Sequence, residues 1–378
     1  MGSSRSPGLQ MHSAISTGVL AKWFPVPETL YPRSAGIDIS DASIKWLALA
    51  HQNENEPLVS WGEEPLAEGI VVSGIVQNVE ALSVALKDVK KKLGGIQFAH
   101  AALPEEAAYV FNMHVPVGSR RENVLNMIEF EFGGRVPIAP GAAVYDFDVI
   151  MQQDDGVGEE IGVVVFPRDL AEAYAEAFRT AGIQLLSLEV EARSIARAIS
   201  VDSVDEPITL LVDFGRTRTG FAVLKRGIPI FTSTVAVGGA TMTRLLVEKM
   251  SLEPAAAEEF KNEKGLHAAL GSEKSLEAEA LLTTASALAE EVARHFHYWD
   301  TRRNEQGERV TPVGRVFLVG GSANLKGLPD YIAAKVQAPT THPNVWQHVC
   351  SFDTYIPPID RRESLQYATA IGLALRGV

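Results

Sequence analysis

Two short stretches carry the residue types that hold phosphate and a hard cation. In AGIDISDASIKW, Asp38 ends an apolar run and Ser40 and Ser43 follow in a polar turn. In TLLVDFGRTRTGF, Asp213 takes the same place and is followed by Gly215, Thr217 and Thr219. A carboxylate at a strand end, beside a turn of small and hydroxyl residues, lies next to exposed backbone N–H groups. Those N–H groups can hold phosphate oxygens while the carboxylate holds a magnesium ion through water. Either stretch alone is equally an ordinary β-turn. The pair is the signal, because each copy opens one half of the chain.

Two further stretches offer complementary groups. VFLVGGSANL is a buried-type strand followed by Gly320, Gly321 and Ser322, where backbone can approach a flat ligand and a following helix would present N–H groups. In AAAEEFKNEKG, Glu258 and Lys261 stand one helical turn apart, able to reach ribose hydroxyls and an adenine edge, or simply to pair with each other. Neither a G-x-G-x-x-G fingerprint nor a G-x-x-x-x-G-K-[ST] loop is present. His295 and His297 sit two apart on a helix, point to opposite sides, and read as surface or boundary residues.

These groups need strands and helices to position them. From Ala35 the pattern reads strand, tight turn, strand, and then a helix from Asn78 to Leu93. Residues 96–166 mix strands (Phe98–Leu103, Ala108–Val115, Ala143–Ile150, Gly162–Phe166) with a helix from Ser119 to Phe132, and Gln152–Glu160 reads as a hairpin turn. A helix over Arg168–Ala181 precedes SLEVEARSIARAIS, and the opening hairpin then returns with a turn one residue longer. Thr241–Tyr298 reads as helical, its last helix carrying Leu281, Ala285, Leu288, Val292, Phe296 and Trp299 on one face. A hairpin that recurs once, in each half, points to duplication rather than a solenoid.

Composition sets bounds. At 378 residues the chain suits two or three domains. Apolar residues at 46% and charged ones at 21% fill ordinary cores. A net charge of −13 repels phosphate backbones, so nucleic acid is not expected as a partner. The single cysteine, Cys350, excludes an intrachain disulfide and any multi-cysteine metal cluster. No stretch reads as a transmembrane segment. Lys90–Lys92 complement a helix C-terminus.

The order hairpin, connecting helix, hairpin, Glu/Lys helix and Gly-Gly turn resembles the actin-like ATPases, which include sugar kinases, DnaK-type chaperones and the division protein FtsA. Within them the chain resembles the PilM family of type IV pilus assembly. The likeness rests on Phe24-Pro25 before GIDIS, LPEEAAYVFNMHVP, VPIAPGAAVYDFDVI, EVEARSIARA, DFGRTRTGFAVLKRGIPIFT ending in VAVGG, AEEFKNEKG and FLVGGSANLKGLPDYI. It spans Trp23 to the C-terminus. One departure is Ser40, which stands where the family usually has glycine and adds a Cβ to the phosphate turn.

The resemblance implies an α/β, actin-like (ribonuclease H-like) duplicated fold with an inserted α/β subdomain. A leader would occupy 1–34, the first half 35–97 and 167–205, and the insert 98–166. The second half would be 206–240 and 312–378, with a helical cleft subdomain at 241–311. The implied cofactors are ATP or ADP and magnesium, with Asp38 and Asp213 on the metal side and Asp213 foremost. Ser40, Ser43, Lys45, Gly215, Thr217 and Thr219 would hold phosphates, and Gly238 and Gly239 would approach the nucleotide. Glu258 and Lys261 would face ribose and base, Gly320, Gly321 and Ser322 the adenosine, and Glu191 would orient the attacking water in a slow, magnesium-dependent hydrolysis. The implied partner is a short N-terminal cytoplasmic peptide of a PilN-like inner-membrane protein, docking beside the insert, where Glu129 and Glu131 could steer a basic segment. Other pilus or type II secretion assembly proteins would join a cytoplasmic complex at the inner membrane, and a homo-oligomer is compatible with the fold. An FtsA-like division scaffold and a small-molecule kinase are the alternatives of the same fold, and a scaffold without nucleotide is a third.

Overall fold

The computed structural model describes residues 33–50, 56–152, 158–201, 203, 205–266, 276–303, 309 and 311–377. The expected leader lies almost wholly outside them, as does the tip of the Gln152–Glu160 turn.

Alternating and β-branched runs form β1 (Ser34–Ile39), β2 (Ser43–Leu49) and β3 (Leu58–Pro65), which pair antiparallel in succession. Two strands reached through crossovers, β6 (Phe98–Leu103) and β10 (Gln184–Val190), add in parallel on the other side of β1. Between β3 and β6 along the chain run β4 (Val71–Val72), β5 (Ile75–Val76) and helix α1 (Val79–Lys92). The sheet order is β10-β6-β1-β2-β3. The second sheet repeats that plan. Strands β11 (Ile208–Phe214), β12 (Thr219–Lys225) and β13 (Ile228–Val235) form the antiparallel part, with β14 (Val313–Val319) and β15 (Thr340–Thr341) parallel beside β11. Duplication is therefore visible in topology as well as in sequence, and the first turn spans 40–42 where the second spans 215–218.

Helix α2 (Arg121–Arg135) packs on a separate three-stranded sheet of β7 (Tyr109–Val115), β8 (Ala143–Gln152) and β9 (Glu159–Pro167), ordered β7-β9-β8. Val124, Ile128 and Phe132 from α2 and Ile161, Val163 and Val165 from β9 form its core. The expected insert boundary at residue 98 is corrected here. Phe98–Leu103 sits between β1 and β10, where its alanines pack against first-half helices, so the separate sheet starts at Tyr109.

Helix α3 (Arg168–Ala181) ends in a left-handed Gly182, and α4 (Glu191–Ile199) connects the halves. Helices α5 (Gly239–Met250), α6 (Pro254–Lys264) and α7 (Leu276–Thr301) cover the second sheet. The expected α7 face is buried throughout. Of the surface and boundary readings of His295 the surface one is corrected: the residue is 9% exposed and stacks on Phe221 at a 4.5 Å ring separation. Helix α8 (Leu328–Val336) follows β14, and α9 (Ala368–Ala374) is buried over its whole length.

Helix α9 also corrects the expected second half. It packs back on the first: a Cβ on Gly36 of β1 would lie 2.1 Å from the Ala370 carbonyl, and one on Gly372 would lie 1.8 Å from that of Ser194 in α4. Small residues permit this approach, and the core beneath it joins Leu47 and Leu49 to Leu211, Leu224 and Val319 across both halves. Arg197 and Arg376 lock it further, both pairing with the buried Glu189, whose carboxyl they hold down at about 2 against the effect of burial.

Candidate functional site

The parallel strands β1, β6, β11 and β14 end at a cleft of about 1010 Å³ between the halves. This is where an open α/β sheet presents side chains and backbone to a ligand. Thirteen of the sequence-selected residues line it: Asp38, Ser40, Ser43, Lys45, Glu191, Asp213, Gly215, Thr217, Glu258, Lys261, Gly320, Gly321 and Ser322.

The first hairpin is internally braced. Ser40 Oγ donates to the Ser43 carbonyl at 3.0 Å and accepts from the Ser43 N–H at 3.2 Å. The extra side chain at this position is thus folded into its own turn. Lys45 Nζ donates to Ser43 Oγ at 3.0 Å and pairs with Glu63 at 3.2 Å. In the second hairpin the Gly215 N–H bonds the Arg218 carbonyl at 3.0 Å, which closes the turn and leaves Arg216 and Thr217 exposed at its tip. Among the described residues no bond engages the backbone N–H of Asp41, Ala42, Arg216 or Thr217.

Three selected residues are not among the cleft lining. Thr219 is fully buried and donates to the Val237 carbonyl at 2.6 Å. Gly238 and Gly239 are buried, Gly238 against the second turn and Gly239 beside Ser322 and Lys261 of the cleft wall. The Gly239 N–H bonds the Gly215 carbonyl at 3.1 Å, and a Cβ on Gly238 would meet the Arg216 carbonyl at 2.4 Å. All three brace the turn.

Gly320 is placed by conformation. Its φ of +90° suits glycine, and a Cβ there would lie 2.3 Å from an Asp213 carboxylate oxygen. The expected helix after Gly-Gly is preceded by a 3-10 turn, Gly321–Asn324, and α8 begins only at Leu328. Glu258 and Lys261 do pair, at 2.6 Å, and both bond the Thr243 hydroxyl. Lys261 is nevertheless 5% exposed, so this pair is part of the cleft wall rather than a solvated helix face.

The floor is crowded with acid. Burial, and then the neighbouring Asp38, push Asp213 up to about 6. Burial raises Asp38 against the pull of Lys45. Burial, with Asp38 and Glu105 next, drives Glu191 well above its usual range. Glu105 and Glu106 belong to this cluster, as does the cation Arg218, and sequence reasoning gave none of them a role. The available signal was LPEE: two acids immediately after the end of a buried strand parallel to β1.

Asp38 and Asp213, both raised chiefly by burial, are a neighbouring pair of carboxylates that suits a hard divalent cation. No group of three or more His, Cys, Asp or Glu side chains placed to hold a metal occurs among the described residues. A cation here would draw its remaining ligands from water and from phosphate oxygens. The glycine cradle at 215 and 320 and the hairpin N–H groups suit those phosphates.

A sequence model of the type IV pilus assembly protein PilM family matches residues 36–378. Among solved structures, a PilM-PilN type IV pilus biogenesis complex aligns at a TM-score of 0.74 and 20% identity, over 92% of this chain and 98% of that one. MreB5 of Spiroplasma citri bound to AMPPNP aligns at a TM-score of 0.53 and 13% identity, over 90% and 94%. The ethanolamine utilization protein EutJ from Carboxydothermus hydrogenoformans aligns at 0.52 and 17%, over 91% and 89%. The duplicated sheets described above are those of the actin-like fold.

Proposed function

The chain belongs to the type IV pilus assembly protein PilM family, and from that premise we propose that it binds ATP or ADP with magnesium in the interdomain cleft and serves a pilus or related secretion machine from the cytoplasmic face of the inner membrane. The observation that carries this reading is the pair of matched hairpins facing one acidic, glycine-cradled cleft. Asp38 and Asp213 would hold the magnesium, through water. The tips of both hairpins and Lys45 would hold phosphates, Lys261 and Glu258 the ribose and base, and Gly320–Ser322 the adenosine. Bound magnesium would offset charge on the transferring phosphate.

Glu191 would orient water. Burial and the neighbouring Asp38 and Glu105 raise its carboxyl, which favours the proton-bound form over the base, so turnover is expected to be slow and the nucleotide to act mainly as a conformational ligand. Recruitment would come from a short peptide of a PilN-like membrane protein, in keeping with the complex seen for the structural neighbour. Among the described residues no helix is long and apolar enough to cross a membrane. The peptide would order on docking beside the insert. Glu129 and Glu131 lie on α2, engaged by Tyr145 and Arg135, and would add steering only.

Thermal unfolding with millimolar ATP and magnesium tests the central claim. A ligand bound only by the folded state adds RT ln(1 + [L]/Kd). The midpoint should rise, and Asp213→Ala should lose the magnesium-dependent part of the rise. No shift in the wild type, with no nucleotide bound by calorimetry, refutes the reading.

A further inference from the structure

The two hairpins are tied directly to each other. Arg218, at the end of the second turn, reaches across the cleft so that its Nη1 pairs with Asp41 of the first turn at 3.0 Å and its Nε with Glu106. Asp41 is itself fixed, accepting from the N–H groups of Ser73 at 3.1 Å and Gly74 at 3.0 Å. Gly74 in turn is held through its carbonyl by the buried Tyr174 hydroxyl at 2.8 Å. One end of the tie is therefore anchored in the first half through β4, β5 and α3. The other end is the closed second turn, where the Arg218 carbonyl accepts from Gly215.

All three partners are mostly shielded, with side-chain exposures of 19% for Arg218, 21% for Asp41 and 20% for Glu106. A guanidinium offers five N–H donors in a fixed fork. Two carboxylates use Nε and Nη1 of this fork. The same cation faces Asp38, Glu105, Glu191 and Asp213, whose combined charge would otherwise repel an entering phosphate.

We propose that Arg218, which lines the cleft, is a positioning residue that clasps the two halves at phosphate-binding separation, and that the same guanidinium contacts the phosphate chain of the nucleotide. The second clause rests on the nucleotide reading above, whereas the first does not. A clasp that fixes two binding loops beforehand lowers the ordering cost of binding. Lysine, a compact point charge without the planar fork, would hold the two carboxylates less rigidly.

The test places spin labels at Val84→Cys and Lys335→Cys, exposed helix positions of the two halves, in a Cys350→Ser background. Interlabel distances are read without nucleotide. Wild-type Arg218 should give a narrow distribution, Arg218→Ala a longer and broader one, and Arg218→Lys and Asp41→Asn intermediate ones. Far-ultraviolet circular dichroism of each variant checks that the halves remain folded. If Arg218→Ala does not fold, Arg218→Lys and Asp41→Asn decide. Distances unchanged from wild type in folded variants overturn the clasp. Calorimetry with magnesium-ATP then reads the second clause, with affinity expected to fall about tenfold in Arg218→Ala, equal to about 1.4 kcal/mol. Unchanged affinity overturns the phosphate contact. A wild type that binds no nucleotide yet shows the narrow distance would sink the nucleotide reading and leave the clasp standing.

Discussion

Gly320 and His100 show how single residues set the site and its tolerance of pH. Gly320→Ala would drive a methyl into the Asp213 carboxylate and the Phe214 carbonyl, in a backbone region that other residues rarely adopt. It should abolish magnesium-dependent nucleotide stabilisation and lower basal stability by about 1–3 kcal/mol, measured by urea unfolding with and without ligand. His100, buried beside β10, exchanges a hydrogen bond with Ser187 at 2.7 Å. Burial, then Arg376, lower it to about 4, against the attraction of Glu189, and Arg197 adds to the lowering. The folded protein therefore refuses a proton that the unfolded chain takes up below about pH 6.5. The contribution of His100 should be flat above that pH and fall toward pH 4, while Asp213, raised to about 6, slopes the other way in both proteins compared and cancels between them. Between pH 7.5 and 5 the loss from this residue should be about 2 kcal/mol, removed in His100→Gln. Glu189 does not confound the comparison, because its own window lies lower, from about 4.5 down to about 2. Equal pH slopes for the two proteins would defeat this account. The cleft-floor carboxylates Asp38 and Asp213 were legible in the sequence because each ends an apolar run. Arg218, Glu105 and Glu106 were not, since their partners come from distant parts of the chain and only the fold joins them.

At the scale of elements, periodicity carried most of the information. The α7 stripe and the limits of α3 follow from local pattern, because one face must meet a core. Long-range placement does not follow. Nothing in ATAIGLA states that α9 crosses back to cover β1, or that β6 belongs to the first sheet rather than the insert. What reveals the crossing is glycine against backbone. Gly372→Ala should therefore destabilise by about 3 kcal/mol, the upper range for overpacking, because α4 and α9 are both fixed on β1 and β6. Gly133, inside α2 with nothing near its Cβ position, supplies the contrast. Gly133→Ala should stabilise by up to about 1 kcal/mol through helix propensity alone. Denaturant midpoints for the two variants should move in opposite directions. Similar shifts would mean that the α4–α9 approach is not as close as described.

Across the whole molecule, the insert is not an isolated appendage, and that determines how its role can be tested. Arg193 of α4 bonds Asp148 of the insert at 2.8 Å and the Gly227 carbonyl of the second half at 3.2 Å. Lys225 of β12 pairs with the buried Glu160 of β9, and a Cβ on Gly162 would strike Ile228 of β13. A deletion beginning at Phe98 would remove a central strand of the first sheet and unfold it. The correct excision is 109–166, because Tyr109 and Val165 are paired neighbours, so a short Gly-Ser linker can join Ala108 to Pro167 without strain. Lys225→Gln and Ile228→Thr in the same chain would remove the cation and the apolar side chain that the excision exposes. The cleft residues all lie outside the excised span, so magnesium-ATP affinity should stay within about threefold, or ~0.7 kcal/mol. Affinity for a peptide from the cytoplasmic start of a PilN-like protein should disappear in calorimetry. Retained peptide affinity would move the docking surface off the insert, while loss of nucleotide binding alone would show that the insert braces the cleft through Arg193 and Lys225.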